Sequence, residues 1–283
     1  MRTDRVILVP LLMLSAISVA FGSGHGPVFA IATPTNVKGG WSLDLGTMDR
    51  IGTPDSGAMG RAMLSYGITP DIQLSVSGPA VFTAAPLPPA RVTAMMPATA
   101  DYEAIGAWRF QRRDFGVGSR IETTAYGGLI LPGSQKPPGL LGQLPWAPGE
   151  LAMIATGYVS RKNYIWAGIG GMHFDESHND RRPGMLMWSL AYAYRPKPFR
   201  KNYPHLDGRF FIEANGEYSD RVLHNALAVP GTNGGQVFVG PSTLWIYKNY
   251  GIEAGIELPV YRNTGPLFER ERYRIAIDFS YFF

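Results

Sequence analysis

The chain has 283 residues, 45% apolar and 12% aromatic, with 34 glycines, no cysteine and a formal net charge of +4. One large β domain fits this length, since barrels and sandwiches reach it undivided. The missing cysteines exclude a disulfide framework and a lipid-anchored amino terminus, while the small, dispersed charge gives no support for nucleic-acid binding.

The amino terminus, Met1-Arg2-Thr3-Asp4-Arg5, is followed by an apolar run from Val6 to Phe21 that is broken by Pro10. A basic start, a short apolar core and small residues at Ser18, Ala20, Gly22 and Gly24 read as a secretory signal peptide. It covers residues 1–20, with cleavage between 20 and 24. An N-terminal anchor helix is the other reading, although the run is short for a membrane span. No later apolar run is long enough to cross a bilayer as a helix. Export without a spanning helix leaves a periplasmic protein, a secreted protein or a membrane barrel. Residues 25–40 are rich in Gly, Pro and Thr. They read either as an extended lead-in tucked into a barrel mouth or as a leader without fixed structure.

From Trp41 to Phe283, strand-like stretches alternate with turn-rich ones. Strands are predicted at Trp41–Arg50, Ala58–Ile68, Ile72–Pro79, Ala100–Gln111, Gly118–Leu131 and Glu150–Arg161. Six more follow at Tyr164–Phe174, Gly184–Arg195, Gly208–Ser219, Gln236–Tyr247, Tyr250–Tyr261 and Glu271–Phe283. The even total of about twelve matches what single-chain bacterial barrels require. The connections alternate in length. Thr69-Pro70-Asp71, Arg112–Val117, Lys162-Asn163 and Lys248-Asn249 are tight, whereas Ala80–Thr99, Pro132–Gly149, Asp175–Pro183 and Asp220–Gly235 are long. Short turns on one side and long loops on the other are the pattern of an outer-membrane barrel with its loops outward. The exception is Pro196–Asp207, which is long and basic on the side of the short turns.

The last strand shows the faces most plainly. Phe283, Tyr281, Phe279, Ile277, Ile275 and Tyr273 alternate with Phe282, Ser280, Asp278, Ala276, Arg274 and Arg272. A soluble sheet also buries one face. Here the apolar face is rich in aromatics, and the chain stops on phenylalanine. That ending resembles the signal by which bacterial outer-membrane assembly machinery recognises its barrels, which makes Phe283, Tyr281, Phe279 and Ile277 the candidate assembly signal. Similar alternation runs through 186–195, 209–219 and 252–261. The apolar rows are expected to face lipid and the charged rows the lumen, because a charge on the lipid face costs about 2–4 kcal/mol near the midplane.

Phe211-Ile212-Glu213-Ala214-Asn215-Gly216-Glu217-Tyr218, Gly235–Ser242 and Gly251–Tyr261 together carry a family resemblance, with weaker support from Gly26–Phe29 and Lys38–Asp44. The chain resembles the outer-membrane transporters labelled "MetA-pathway of phenol degradation". The likeness covers most of the mature chain, is concentrated in its last third and includes no catalytic signature. It implies a barrel that passes small, hydrophobic or aromatic compounds.

The expected lumen lining is Arg120, Glu122, Arg209, Glu213, Glu217, Glu253, Glu257, Arg272, Arg274 and Asp278, with Asp44, Arg61, Glu103 and Arg109 beside them. Antiparallel neighbours can set Glu253 or Glu257 opposite Arg272 or Arg274. Such charges fill a narrow lumen as a paired network or select permeants at a constriction, and the two roles are compatible. His173 and His178 are weak candidates for a metal, with Asp175, Glu176 and Asp180 nearby, but their spacing matches no ligand pattern. Met59, Met63, Met95 and Met96 suit gap-filling, and His25, His205 and His224 stand singly. Ser177 beside His178 is the one close Ser/His pair. The glycines at 168, 170 and 171 open no helix, so no phosphate loop is indicated. No cofactor is expected. The partners expected are outer-membrane lipid, the assembly machinery and a small-molecule permeant. The reading is an all-β transmembrane antiparallel barrel in the bacterial outer membrane that acts as a passive channel. A closed structural or surface-binding barrel and a lipid-modifying enzyme are the alternatives.

Overall fold

The computed structural model describes residues 26–51, 57–81, 90, 92, 101–133, 139–145, 147–201, 204–268 and 270–283. The predicted signal peptide, His25, Met95, Met96 and Trp146 lie outside them.

Twelve strands close into one antiparallel barrel, in the order β1-β14-β13-β12-β9-β8-β7-β6-β5-β4-β3-β2. They are β1 (Trp41–Ile51), β2 (Gly57–Thr69), β3 (Ile72–Val81), β4 (Asp101–Gly116), β5 (Ser119–Pro132) and β6 (Gly149–Val159). The remainder are β7 (Asn163–Phe174), β8 (Met185–Tyr194), β9 (Asp207–Ser219), β12 (Gly234–Tyr247), β13 (Tyr250–Thr264) and β14 (Tyr273–Phe282). Between β9 and β12 the outer loop folds a small hairpin of its own, β10 (Leu223–His224) with β11 (Leu227–Ala228). Each expected strand is present. The fourth runs further than expected, to Gly116, because bulges at Arg109/Gln111 and Asp114/Gly116 let the ladder continue past its charged end.

The seam lies where the chain ends. Ser42 pairs with Phe282, and the register holds to Ile51 opposite Tyr273. Beyond it, Trp41 and Phe283 exchange backbone hydrogen bonds of 2.8 and 3.0 Å, and their rings stack at 6.4 Å. The terminal phenylalanine therefore completes the closure, and a closed barrel leaves no strand edge unpaired.

Side-chain alternation separates lipid from lumen. Ile169, Leu186, Trp188, Leu190, Ile212, Ile252, Leu258 and Ile277 are exposed on the outer wall. Such a continuous apolar exterior is stable only against lipid. At the short-turn end Trp41, Tyr158, Tyr192, Tyr194, Phe210, Tyr247, Tyr250 and Phe283 form an exposed aromatic ring, where amphipathic rings favour the headgroup level. The expected outward row of the last strand is seen: Ile277, Phe279 and Phe283 are exposed, while Arg274, Ala276 and Ser280 are buried.

Candidate functional site in the lumen

The lumen is occupied by the chain's own lead-in. From Gly40, beside the start of β1, residues 26–39 run into the barrel and bond to its inner wall. Glu213 on β9 accepts the N–H groups of Val28, Phe29 and Ala30 at 3.1, 2.9 and 2.8 Å. Its carboxylate also accepts the Ser242 hydroxyl. Ser189 accepts the Ile31 N–H at 2.9 Å. The Thr33 hydroxyl donates to Glu122 at 2.6 Å and accepts the Trp166 indole N–H at 3.0 Å. Tyr126 and Thr124 donate to the carbonyls of Ala32 and Thr33 at 2.5 and 2.7 Å. Near the short-turn end, Gln73 accepts the Asn36 N–H and Pro70 the Thr35 hydroxyl.

This arrangement follows from a requirement of extended backbone. A segment without a ladder must still satisfy its N–H and C=O groups once it is buried. Here the wall side chains supply the partners that a neighbouring strand would. Wall glycines supply the space. A Cβ on Gly168 would meet the Ile31 side chain at 2.8 Å, and one on Gly255 would meet Phe29 at 2.7 Å. The glycine at 168, expected to sit in a strand, is there for clearance.

Around the plug the lumen has two characters. Ala30 packs with Tyr164, Trp166, Ala191, Phe211 and Leu244 in an apolar cluster, with Trp166 stacked on Tyr164 and Phe211. The wall of β1, β13 and β14 is instead acidic: Asp44 and Glu253 are buried, and Glu253 pairs in register with Asp278. Between plug and wall lies a cavity of about 290 Å³. Phe29, Ile31, Met63, Ile105 and Met153 give it an apolar side, and Ser42, Asp44, Ser65, Gln73 and Ser75 a polar one.

Towards the outer mouth the charged residues pair. Arg274 reaches Glu217 at 2.7 Å and Glu271 at 2.5 Å, with its guanidinium 3.8 Å from the Phe238 ring centre. The register places Glu257 opposite Arg274, as the sequence suggested. The guanidinium bonds elsewhere, and Glu257 accepts from Asn215 at 2.5 Å. Arg61 meets Glu103 at 2.5 Å. At the other end Arg109 bridges Asp71 (2.8 Å) and Glu122 (3.5 Å), Arg120 joins Glu122 (2.8 Å), and Arg209 joins Asp207 (2.8 Å). Arg272 is the departure from the expected lining. β14 begins at Tyr273, and Arg272 sits exposed in the bend before it.

The outer end carries an apolar roof. Leu140 and Leu141, from a 3-10 turn at Gly139–Gln143, join Leu144, Val92, Val222 and Phe268 over Ile130, Leu151, Met172, Phe174, Met185 and Met187 of the wall. Arg182 fixes this roof with both oxygens of Asp101, at 3.0 and 2.8 Å, and lies 5.2 Å from the Phe174 ring centre.

His173 and His178 do not come together as ligands: both are exposed, and among the described residues no group of three metal-binding side chains is found. Asp180 takes up His224 and the Asn225 N–H instead, at 3.0 and 2.6 Å. Ser177 does contact the His178 imidazole, at 2.9 Å. With Asp180 engaged elsewhere, that pair has, among the described residues, no oriented third group of the kind that activates a nucleophile. What the sequence reading missed was the set of polar wall residues that hold the plug: Tyr126, Thr124, Trp166, Ser189 and Ser242. Each sits at an inward position, and no local signal distinguishes a partner of buried backbone from an ordinary lining residue.

No family model matches the chain, and no curated protein matches it, so the family label suggested by the sequence gains no support from those comparisons. Solved structures do match. An outer-membrane channel from Pseudomonas putida F1 aligns with a TM-score of 0.66 at 11% identity, covering 92% of this chain and 99% of that one. The NanC porin aligns with a TM-score of 0.51 at 10% identity, covering 84% of this chain and 98% of its own. The chain thus has the fold of the bacterial outer-membrane barrels.

Proposed function

We propose that this protein is a passive outer-membrane channel for small, mainly apolar or aromatic solutes, obstructed by the amino-terminal segment in the lumen until that segment shifts. The observation that carries this reading is the cavity of about 290 Å³ between plug and wall, apolar on one side and polar on the other. Its size is at the lower end of small-molecule sites, and its lining suits a compact solute with one hydrogen-bonding group. Twelve strands enclose a lumen between the side-chain-filled eight-stranded case and the open porins, so one extended segment is enough to obstruct it. The apolar roof disfavours hydrated permeants. The outer-membrane channels that share the fold support the channel role, and the resemblance seen in the sequence supports the aromatic solute class. Ordinary catalysis is disfavoured by the unsupported Ser177–His178 contact. The outward aromatic row of β14 suits recognition by the assembly machinery.

The test is recording from the refolded mature protein in a planar bilayer, combined with uptake into liposomes of a small phenolic compound and of a sugar of equal mass. Discrete conductance steps and faster phenolic uptake are expected. Silence together with no uptake from a folded barrel would instead make it a sealed structural barrel.

A further inference from the structure

The described part of the long basic connection between β8 and β9, residues 195–201 and 204–206, takes no part in the lumen. It contains a 3-10 turn, Lys197–Phe199, and folds against the outside of the barrel. Phe199 stands edge-on to Trp245 at 5.2 Å, and Trp245 edge-on to the outward Phe210 at 5.5 Å. The backbone is tied to the adjacent turn and to itself. The Arg195 N–H donates to Lys162 O at 2.8 Å, Arg195 Nε to Phe199 O at 2.8 Å, and Arg200 Nε to Arg195 O at 2.7 Å. These contacts set two cations around one outward ring. The Arg200 guanidinium lies 5.7 Å and the Lys162 ammonium 5.9 Å from the centre of Tyr194.

Charge is unbalanced here. Asp207, the nearby carboxylate, is taken by Arg195 at 2.7 Å and Arg209 at 2.8 Å. Lys162, Lys197, Arg200 and Lys201 pair with no carboxylate among the described residues, and three of the four are exposed. Like charges held together on a fixed frame call for an anion. Their depth identifies it: they sit at the aromatic belt of the short-turn end, where the phosphate groups of the periplasmic leaflet lie.

We propose that Lys162, Arg200 and Tyr194, flanked by Lys197 and Lys201, form a binding site for the headgroup of an anionic phospholipid of the periplasmic leaflet. The phosphate sits between ammonium and guanidinium above the Tyr194 ring, and the acyl chains run along Tyr192 and Phe210. An Arg fork and a Lys point charge are the ordinary means of holding phosphate. Aromatic rings at the same level hold the glycerol region.

The test is native mass spectrometry of the full-length mature protein in detergent, titrated with phosphatidylglycerol or phosphatidylethanolamine of matched chains. The wild type is expected to retain phosphatidylglycerol preferentially. Each basic side chain near an anionic surface contributes about fivefold in binding, so Lys162→Gln with Arg200→Gln should lower that retention roughly twentyfold. Arg221→Gln, in an outer loop, should leave it unchanged. Folding of each variant is confirmed by its heat-modifiable gel mobility. Equal retention of both lipids by the wild type overturns the proposal, as does undiminished preference in the folded double variant. Polyglutamate serves as a soluble acidic probe. If it binds more tightly than phosphatidylglycerol vesicles, the patch belongs to an acidic protein partner and the lipid assignment fails.

Discussion

Replacing Glu213 with glutamine tests the clamp on the plug. The carboxylate accepts four donors: the N–H groups of Val28, Phe29 and Ala30, and the Ser242 hydroxyl. Glutamine has one accepting oxygen. Whichever way its amide is turned, an NH2 group faces donors on one side. A hydrogen bond to a charged group contributes about 1.5–3 kcal/mol, so loss of at least one weakens docking by about that much. The ratio of undocked to docked plug should therefore rise about ten- to a hundredfold, at 1.4 kcal/mol per factor of ten. Single-channel recording reads this as longer or more frequent openings of unchanged amplitude. Heat-modifiable mobility on a gel confirms that the barrel itself has folded. An open probability equal to that of the wild type, in a folded variant, would refute the clamp. Glu213→Asp, which shortens the reach while keeping both oxygens, should fall between the two.

Other expectations follow from the wall. Arg274→Met leaves Glu217 buried without its cation. Breaking a buried pair on one side costs about 3–5 kcal/mol, read as a lower urea midpoint for unfolding in detergent, and an unchanged midpoint would show that the network is structurally idle. Ile169→Arg places a charge on the outer wall midway along β7 and should destabilise the barrel by about 2–4 kcal/mol in bilayer refolding titrations. Glu253→Gln with Asp278→Asn removes two facing carboxylates. The reversal potential in a KCl gradient should then shift towards anions, whereas no shift would place the ion path elsewhere.

The residues that spell out their own structure are those whose neighbours decide it. Period-two alternation from Tyr273 to Phe283 shows a strand, its lipid face and its position at the seam. The inward carboxylates at 213, 217, 253 and 257 were legible for the same reason, because charge cannot sit on the lipid side. Arg272 shows where periodicity stops being a guide: two residues before Arg274 it shares the face in principle, but the strand starts at Tyr273. The plug was half legible: residues 25–40 read equally as a lead-in tucked into the barrel mouth or as a leader without fixed structure, and nothing local chose between them. Gly26–Gly40 has no alternation, and its main partner, Glu213, lies more than 180 residues away. A segment held by scattered wall side chains carries no pattern of its own. Pro196–Asp207 looked like an irregularity on the short-turn side. Phe199 against Trp245 lays its first part along the outer wall.

The most direct test of the proposed channel and its plug uses the chain's lack of cysteine. A Cβ on Gly168 falls 2.8 Å from the Ile31 side chain, so Ile31→Cys with Gly168→Cys can form a disulfide after a small shift, since bonded pairs have Cβ atoms about 3.5–4.5 Å apart. Conductance of the double variant is recorded oxidised and then after reduction, with the crosslink scored by thiol labelling. The oxidised form should be silent and the reduced form should conduct. Equal conductance in both, with the crosslink complete, would contradict a plug that must move for solutes to pass.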